Sequence, residues 1–150
     1  MNITEITKGL KNLLCGIANR TSALANASAY LYEILPDVSW LGFYLADGET
    51  LVLGPFQGRV ACTEIPFSRG VCGAAASSRR TVSVPDVHRF PGHIACDSRS
   101  RSEIVVPIIT ASSKLVGVLD VDSESLSRFG EVEARLLEAA ARVIAEEVFG

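Results

Sequence analysis

Apolar positions along the first part of the chain recur at helical spacing and then switch to alternation. Ile3, Ile6, Leu10, Leu13, Leu14 and Ile17 fall on one stripe, which predicts a helix over residues 3–17 with Asn2 or Thr4 near its start as the cap. Leu24, Ala27, Leu31, Ile34 and Leu35 form a second stripe, predicting a helix from near Ser22 that stops at Pro36-Asp37. The period then drops to two. Residues 39–46 (SWLGFYLA) put Leu41, Phe43 and Leu45 on one face of a strand and Trp40, Gly42 and Tyr44 on the other. Asp47-Gly48 turns the chain into a strand over 50–56, and a third strand over 61–67 carries Cys62. Small residues at 71–78 (VCGAAASS) predict a short helix beginning close to Cys72, followed by a short strand at 81–84. Residues 103–109 (EIVVPII) are apolar enough for a central strand, with Pro107 marking a bulge or an edge. A polar turn leads to a strand over 115–123 (LVGVLDVDS). The last helix, 129–148, aligns Phe129, Val132, Leu136, Ala140, Val143 and Ile144.

Two helices, a run of strands broken by a short helix and a long loop, and a final helix describe an α+β fold. The expected form is a mainly antiparallel central sheet, with N- and C-terminal helices on one face and loops over a ligand pocket on the other. Apolar remnants of the terminal helices that stay exposed would bundle between two subunits, giving a homodimer. With 150 residues the chain is read as a single domain. A net charge of −3 argues against nucleic acid or an anionic membrane as partner. No apolar run is long enough to span a bilayer, and MNITEITKGLKN lacks the basic-then-apolar order of a secretory signal. The expected location is cytoplasmic.

Chemistry gathers in residues 86–103, DVHRFPGHIACDSRSRSE, which follow no helical or strand period. The stretch holds both histidines, one cysteine, three acids and three arginines. A connection of this length is usually functional, and Phe90, Ile94 and the Pro91-Gly92 turn offer it anchors. Cys96 therefore sits in polar, charged surroundings, unlike an inert cysteine. The other cysteines are Cys15, Cys62 and Cys72. Cys15 reads as a small buried hydrophobe of the first helix. A zinc site from Cys62, Cys72, Cys96 and His93 lacks the usual ligand spacing, so catalytic or redox thiols are the better reading, with no metal and no cofactor. Asp120 and Asp122 project from one face of their strand, as a cation or amine site or as a solvated strand end with Ser123 opening the next cap. Trp40 and Tyr44, with Gly42 between them, either open space above the sheet for a small ligand or pack beneath a loop. The glycine before Cys72 frees backbone N–H groups for an anion such as a carboxylate.

Taken together, W40-x-GFYL, LVLGPFQG (51–58), AC-x-x-IPF-x-RGVCG (61–73), DVHRFPGHIACDSRSRSEIVVPI (86–108) and GVLDVDS (117–123) resemble the free methionine-(R)-sulfoxide reductases, enzymes built on a GAF domain. The resemblance covers residues 21–140 and departs at Ser68, where the family often has glycine, at 130–132, and at Cys15. It implies reduction of free L-methionine-(R)-sulfoxide, with Cys96 as the catalytic cysteine, oxidised to a sulfenic acid. Cys62 would be the main resolving cysteine and Cys72 a second resolver or relay. A thioredoxin-like dithiol would restore the thiols. Glu103 and Asp122 would act on the sulfoxide oxygen, Asp120 would bind the substrate amine or play an orienting part, and Trp40 and Tyr44 would wall the methyl group. His93 and the neighbouring arginines are candidates for favouring the Cys96 thiolate. The competing class is a GAF-type small-molecule-binding or thiol redox-sensing module, which a standalone chain with no output domain disfavours.

Overall fold

The computed structural model describes residues 2–93 and 96–150. Helix α1 (Ile3–Leu14) and helix α2 (Arg20–Ile34) open the chain, and strands β1 (Trp40–Asp47), β2 (Thr50–Gln57) and β3 (Glu64–Pro66) follow. Next come helix α3 (Gly70–Ser78), strand β4 (Val82–Val84) and a 3₁₀ turn at Val87–Arg89. Strands β5 (Ser102–Ile109) and β6 (Leu115–Ser123) and helix α4 (Glu131–Phe149) complete the fold. All six strands join one antiparallel sheet in the order β3-β2-β1-β6-β5-β4. The α+β reading holds.

Strand alternation sorts side chains onto the two faces. Leu41, Phe43, Ile104, Val106, Leu119 and Val121 pack with α1, α2 and α4 into one core. Trp40, Tyr44, Val105 and Val118 turn to the opposite face, where α3 and the loops lie. The terminal helices thus share one side of the sheet and leave the other to the site.

Boundaries shifted where caps decide. Asn2 caps α1 by accepting from Glu5 N at 3.1 Å, and Asn19 caps α2 by accepting from Ser22 N at 3.0 Å. Helix α1 stops at Leu14, three residues early, so Cys15 leaves the stripe at the C-cap and is exposed rather than buried. Pro107 faces Val118 of β6, but β4 pairs β5 only over Glu103–Val105, so the missing N–H falls on a locally free edge. The bulge comes just after, between Ile108 and Ile109. Strand β3 is three residues long, and Cys62 lies in the irregular segment ahead of it rather than on the strand. Val132, placed on the buried stripe of the last helix, is 52% exposed because α4 begins at Glu131 and its first turn overhangs the core.

Candidate active site

Two loops meet above β1 and β6. The segment between β2 and β3 carries Cys62, the long β4–β5 connection carries Cys96, and a disulfide joins the two across a Cα–Cα distance of 5.4 Å. The first segment is held from below by aromatic side chains. Trp40 Nε1 donates to the carbonyl of Arg59 at 3.0 Å, and the Tyr44 hydroxyl donates to the carbonyl of Cys62 at 3.0 Å. The second loop is pinned by fully buried Val87, whose N–H donates to the Arg101 carbonyl at 2.8 Å. Arg101 N in turn donates to the Ser123 carbonyl at 2.8 Å, tying the loop to the end of β6. Gly70 N donates to the Gly92 carbonyl at 3.2 Å, which fastens the loop to the start of α3. Gly70 has φ +71°, a conformation that side chains resist, so the entry to α3 depends on glycine there. Of the expected anchors, Phe90 is half-buried and Ile94 lies outside the described residues. Arg59 joins the two loops electrostatically, its Nη1 lying 3.5 Å from Asp97 Oδ2 and 3.5 Å from Glu124 Oε2.

Beneath the disulfide lies a carboxyl cluster. Trp40 and Glu103 flank Asp122 across the sheet, and Gly42 and Val105 flank Asp120. Register therefore places Glu103, Asp120 and Asp122 on the same face. They are 7%, 6% and 8% exposed, so the solvated strand end is excluded. Burial pushes all three carboxyls well above the usual carboxylate range, and each is raised further by a neighbour: Asp120 for Glu103, Asp122 for Asp120, and Glu103 for Asp122. The cluster keeps protons that exposed acids would have lost. Cys72, near the start of α3, is buried over these acids, and burial first, then the Asp120 charge, raises its thiol pKa. It is held as a thiol, not as an attacking thiolate. Burial also raises the Tyr44 phenol, followed by the Asp120 charge, so its hydroxyl stays a donor.

A cleft of about 530 Å³, part of it open to solvent, runs between the disulfide and the carboxyls. Trp40, Tyr44, Cys72, His93, Cys96 and the three acids line it. The structure thus brings together Trp40, Tyr44, Cys62, Cys72, His93, Cys96 and the three acids, whereas Arg89, Arg99 and Arg101 are exposed and do not line the cleft. Of the two readings open for Gly42, the one that opens space for a ligand does not hold. The position of a Cβ there is taken by Phe56, with Phe56 Cα at 2.8 Å and the Trp40 Cη2 atom at 2.8 Å. The glycine admits a stack, in which Trp40 lies 5.1 Å from Phe56 and 5.9 Å from Tyr44, centroid to centroid. Gly42→Ala is accordingly expected to cost about 1–3 kcal/mol through overpacking. Urea unfolding would show a lower midpoint at unchanged slope.

Burial, then His88, lowers the His93 pKa, which favours the neutral imidazole over a cation beside Cys96. The zinc set of Cys62, Cys72, Cys96 and His93 does not form here, since two of its sulfurs are bonded to each other. Ser68 is exposed and has no positive φ, so its backbone asks nothing of glycine. Sequence reasoning missed Arg59, Asp97 and Phe56. Asp97 was legible as the acid next to Cys96, and Arg59 as the one charge in the run from Gln57 to Thr63.

The GAF domain family profile matches residues 10–148. Free methionine-R-sulfoxide reductase of Escherichia coli is 48% identical over 133 residues, covering 86% of this chain and 80% of the relative. The enzyme of the same name from Saccharomyces cerevisiae is 45% identical over 143 residues, covering 93% and 77%. Among solved structures, free methionine-R-sulfoxide reductase from Neisseria meningitidis in complex with its substrate superposes with a TM-score of 0.92 at 43% identity, covering 98% of this chain and 88% of that one. The described residues add the two-loop disulfide above three buried acids, and on these findings together the chain belongs to the free methionine-R-sulfoxide reductases of the GAF domain family.

Proposed function

We infer that this protein is an oxidoreductase that reduces free L-methionine-(R)-sulfoxide to L-methionine through its cysteines. The observation that carries the reading is a Cys62–Cys96 disulfide over three buried carboxyls in one cleft. The Cys96 thiolate attacks the sulfoxide sulfur while a carboxyl protonates the oxygen. The substrate sulfur gains two electrons and leaves as the thioether, and Cys96 takes the oxygen as a sulfenic acid. The Cys62 thiol then displaces that oxygen as water, forming the disulfide. Two electrons from an external dithiol reopen it.

Within the cleft, Glu103 and Asp122 serve the oxygen, and Asp120 holds the substrate ammonium. The substrate carboxylate meets backbone amides at Gly70–Gly73 or beside Cys96. Trp40 and Tyr44 wall the methyl group and hold the segment bearing Cys62 through their two hydrogen bonds. Cys72, which lines the same cleft but is held as a buried thiol, is a reserve resolver. A site that holds both amine and carboxylate excludes methionine sulfoxide inside a peptide.

Around this chemistry we propose a thioredoxin-like dithiol as reductant, a cytoplasmic location, one GAF domain over residues 1–150, and a homodimer. No helix among the described residues is long and apolar enough to cross a membrane. The test supplies each sulfoxide diastereomer, free or blocked at both termini, with dithiothreitol as reductant. Methionine is expected from the free R form alone. Equal turnover of blocked substrate would refute the two-ended pocket, and no methionine from any form would refute the activity.

A further inference from the structure

We propose that the cleft also takes one thiophilic divalent cation of the zinc class, on Cys72, Glu103 and Asp120. One donor atom from each of these residues lies within 4.8 Å of the others. All three side chains are more than nine-tenths buried, and Asp120 Oδ1 is a buried oxygen without a hydrogen-bond partner. A buried side-chain oxygen left without a partner is the costly case, and an ion relieves it. The donor set selects the ion: a thiolate with two carboxylate oxygens suits a borderline-soft ion over magnesium or calcium. Zinc holds tetrahedral sulfur and oxygen donors about 3.5 Å apart, so side-chain shifts on the order of 1 Å close the set. The fourth position faces the cleft and accepts water.

Binding involves no electron transfer; the sulfur coordinates as a thiolate and the two acids through carboxylate oxygens. The site is exchangeable and inhibitory rather than a cofactor site, because it occupies Asp120. That consequence rests on the amine-binding role proposed above; the binding itself does not.

The disulfide form of the protein isolates the question, since Cys62 and Cys96 are then closed and Cys15 and Cys72 are the free thiols. Titration with Co²⁺ alone is expected to give a near-ultraviolet thiolate-to-cobalt band saturating at one equivalent, bleached by Zn²⁺. Cys15→Ser should retain the band and Cys72→Ser should lose it, while Glu103→Gln weakens binding at least about tenfold. Should Cys72→Ser not fold, Asp120→Asn reads the same site through the same loss. A band that follows Cys15, or no band from folded protein at pH 8, overturns the proposal. Either result leaves the reductase reading intact, because that reading is judged on metal-free protein by methionine formation.

Discussion

Cys96→Ser is expected to lower kcat for methionine formation on the order of 10³-fold or more, the scale on which loss of a nucleophile acts. Serine keeps the shape of the loop but offers no thiolate and no sulfur oxidation. Binding should persist, because the carboxyl cluster and the amides at the start of α3 are untouched. The informative contrast is Cys62→Ser. There the first step survives, so one equivalent of methionine should form in a burst and the Cys96 sulfenic acid should accumulate. That acid is trappable by a dicarbonyl reagent and visible as a mass increase on the peptide holding position 96. Turnover would then continue slowly, by direct attack of external thiol or through Cys72. Burst and adduct in Cys62→Ser, with neither in Cys96→Ser, separate nucleophile from resolver. If the adduct appears on Cys62 in the reverse pair of variants, the roles are exchanged.

Much of this arrangement was legible because the informative side chains sit on strands. Period-two alternation placed Trp40 and Tyr44 opposite Leu41 and Phe43, and the same rule put Asp120 and Asp122 on one face. It could not say whether that face was wet. The answer came from cross-strand register, which sets Glu103 against Asp122, and from the loops that cover both. Such information lies between distant parts of the chain. Gly42 could be read two ways for a related reason: its space is claimed by Phe56 from the next strand, and single-strand reasoning sees no neighbour. Cys15 and Cys62 moved because helix and strand ends are decided by one or two hydrogen bonds, below the resolution of periodicity. The family resemblance supplied what alternation lacks, namely which thiols belong together.

Removing the proton source is the other large effect. Asp122→Asn and Glu103→Gln each keep a polar side chain of nearly the same shape but end carboxyl proton transfer, and kcat is expected to fall about 10²–10⁴-fold. The native enzyme should show the same dependence as a pH profile. The cluster is raised well above the ordinary carboxylate value by burial and by mutual charge, so it is protonated at acid pH. Activity limited by this step declines as pH rises through those folded values. Stability follows the same sign. Unfolded acids lose their protons near pH 4, whereas the folded cluster still holds them, so the native state binds more protons over the interval. The contribution is complete below about pH 4 and is lost as pH climbs through the folded values. Urea midpoints of metal-free protein should therefore drop toward alkaline pH. Asp120→Asn should flatten that slope, because one charge fewer is forced into the same buried volume. Both observables come from the same three side chains, so they must move together. An Asp122→Asn or Glu103→Gln variant that flattens the stability slope yet leaves both kcat and its pH profile unchanged would place the catalytic acid outside the cluster.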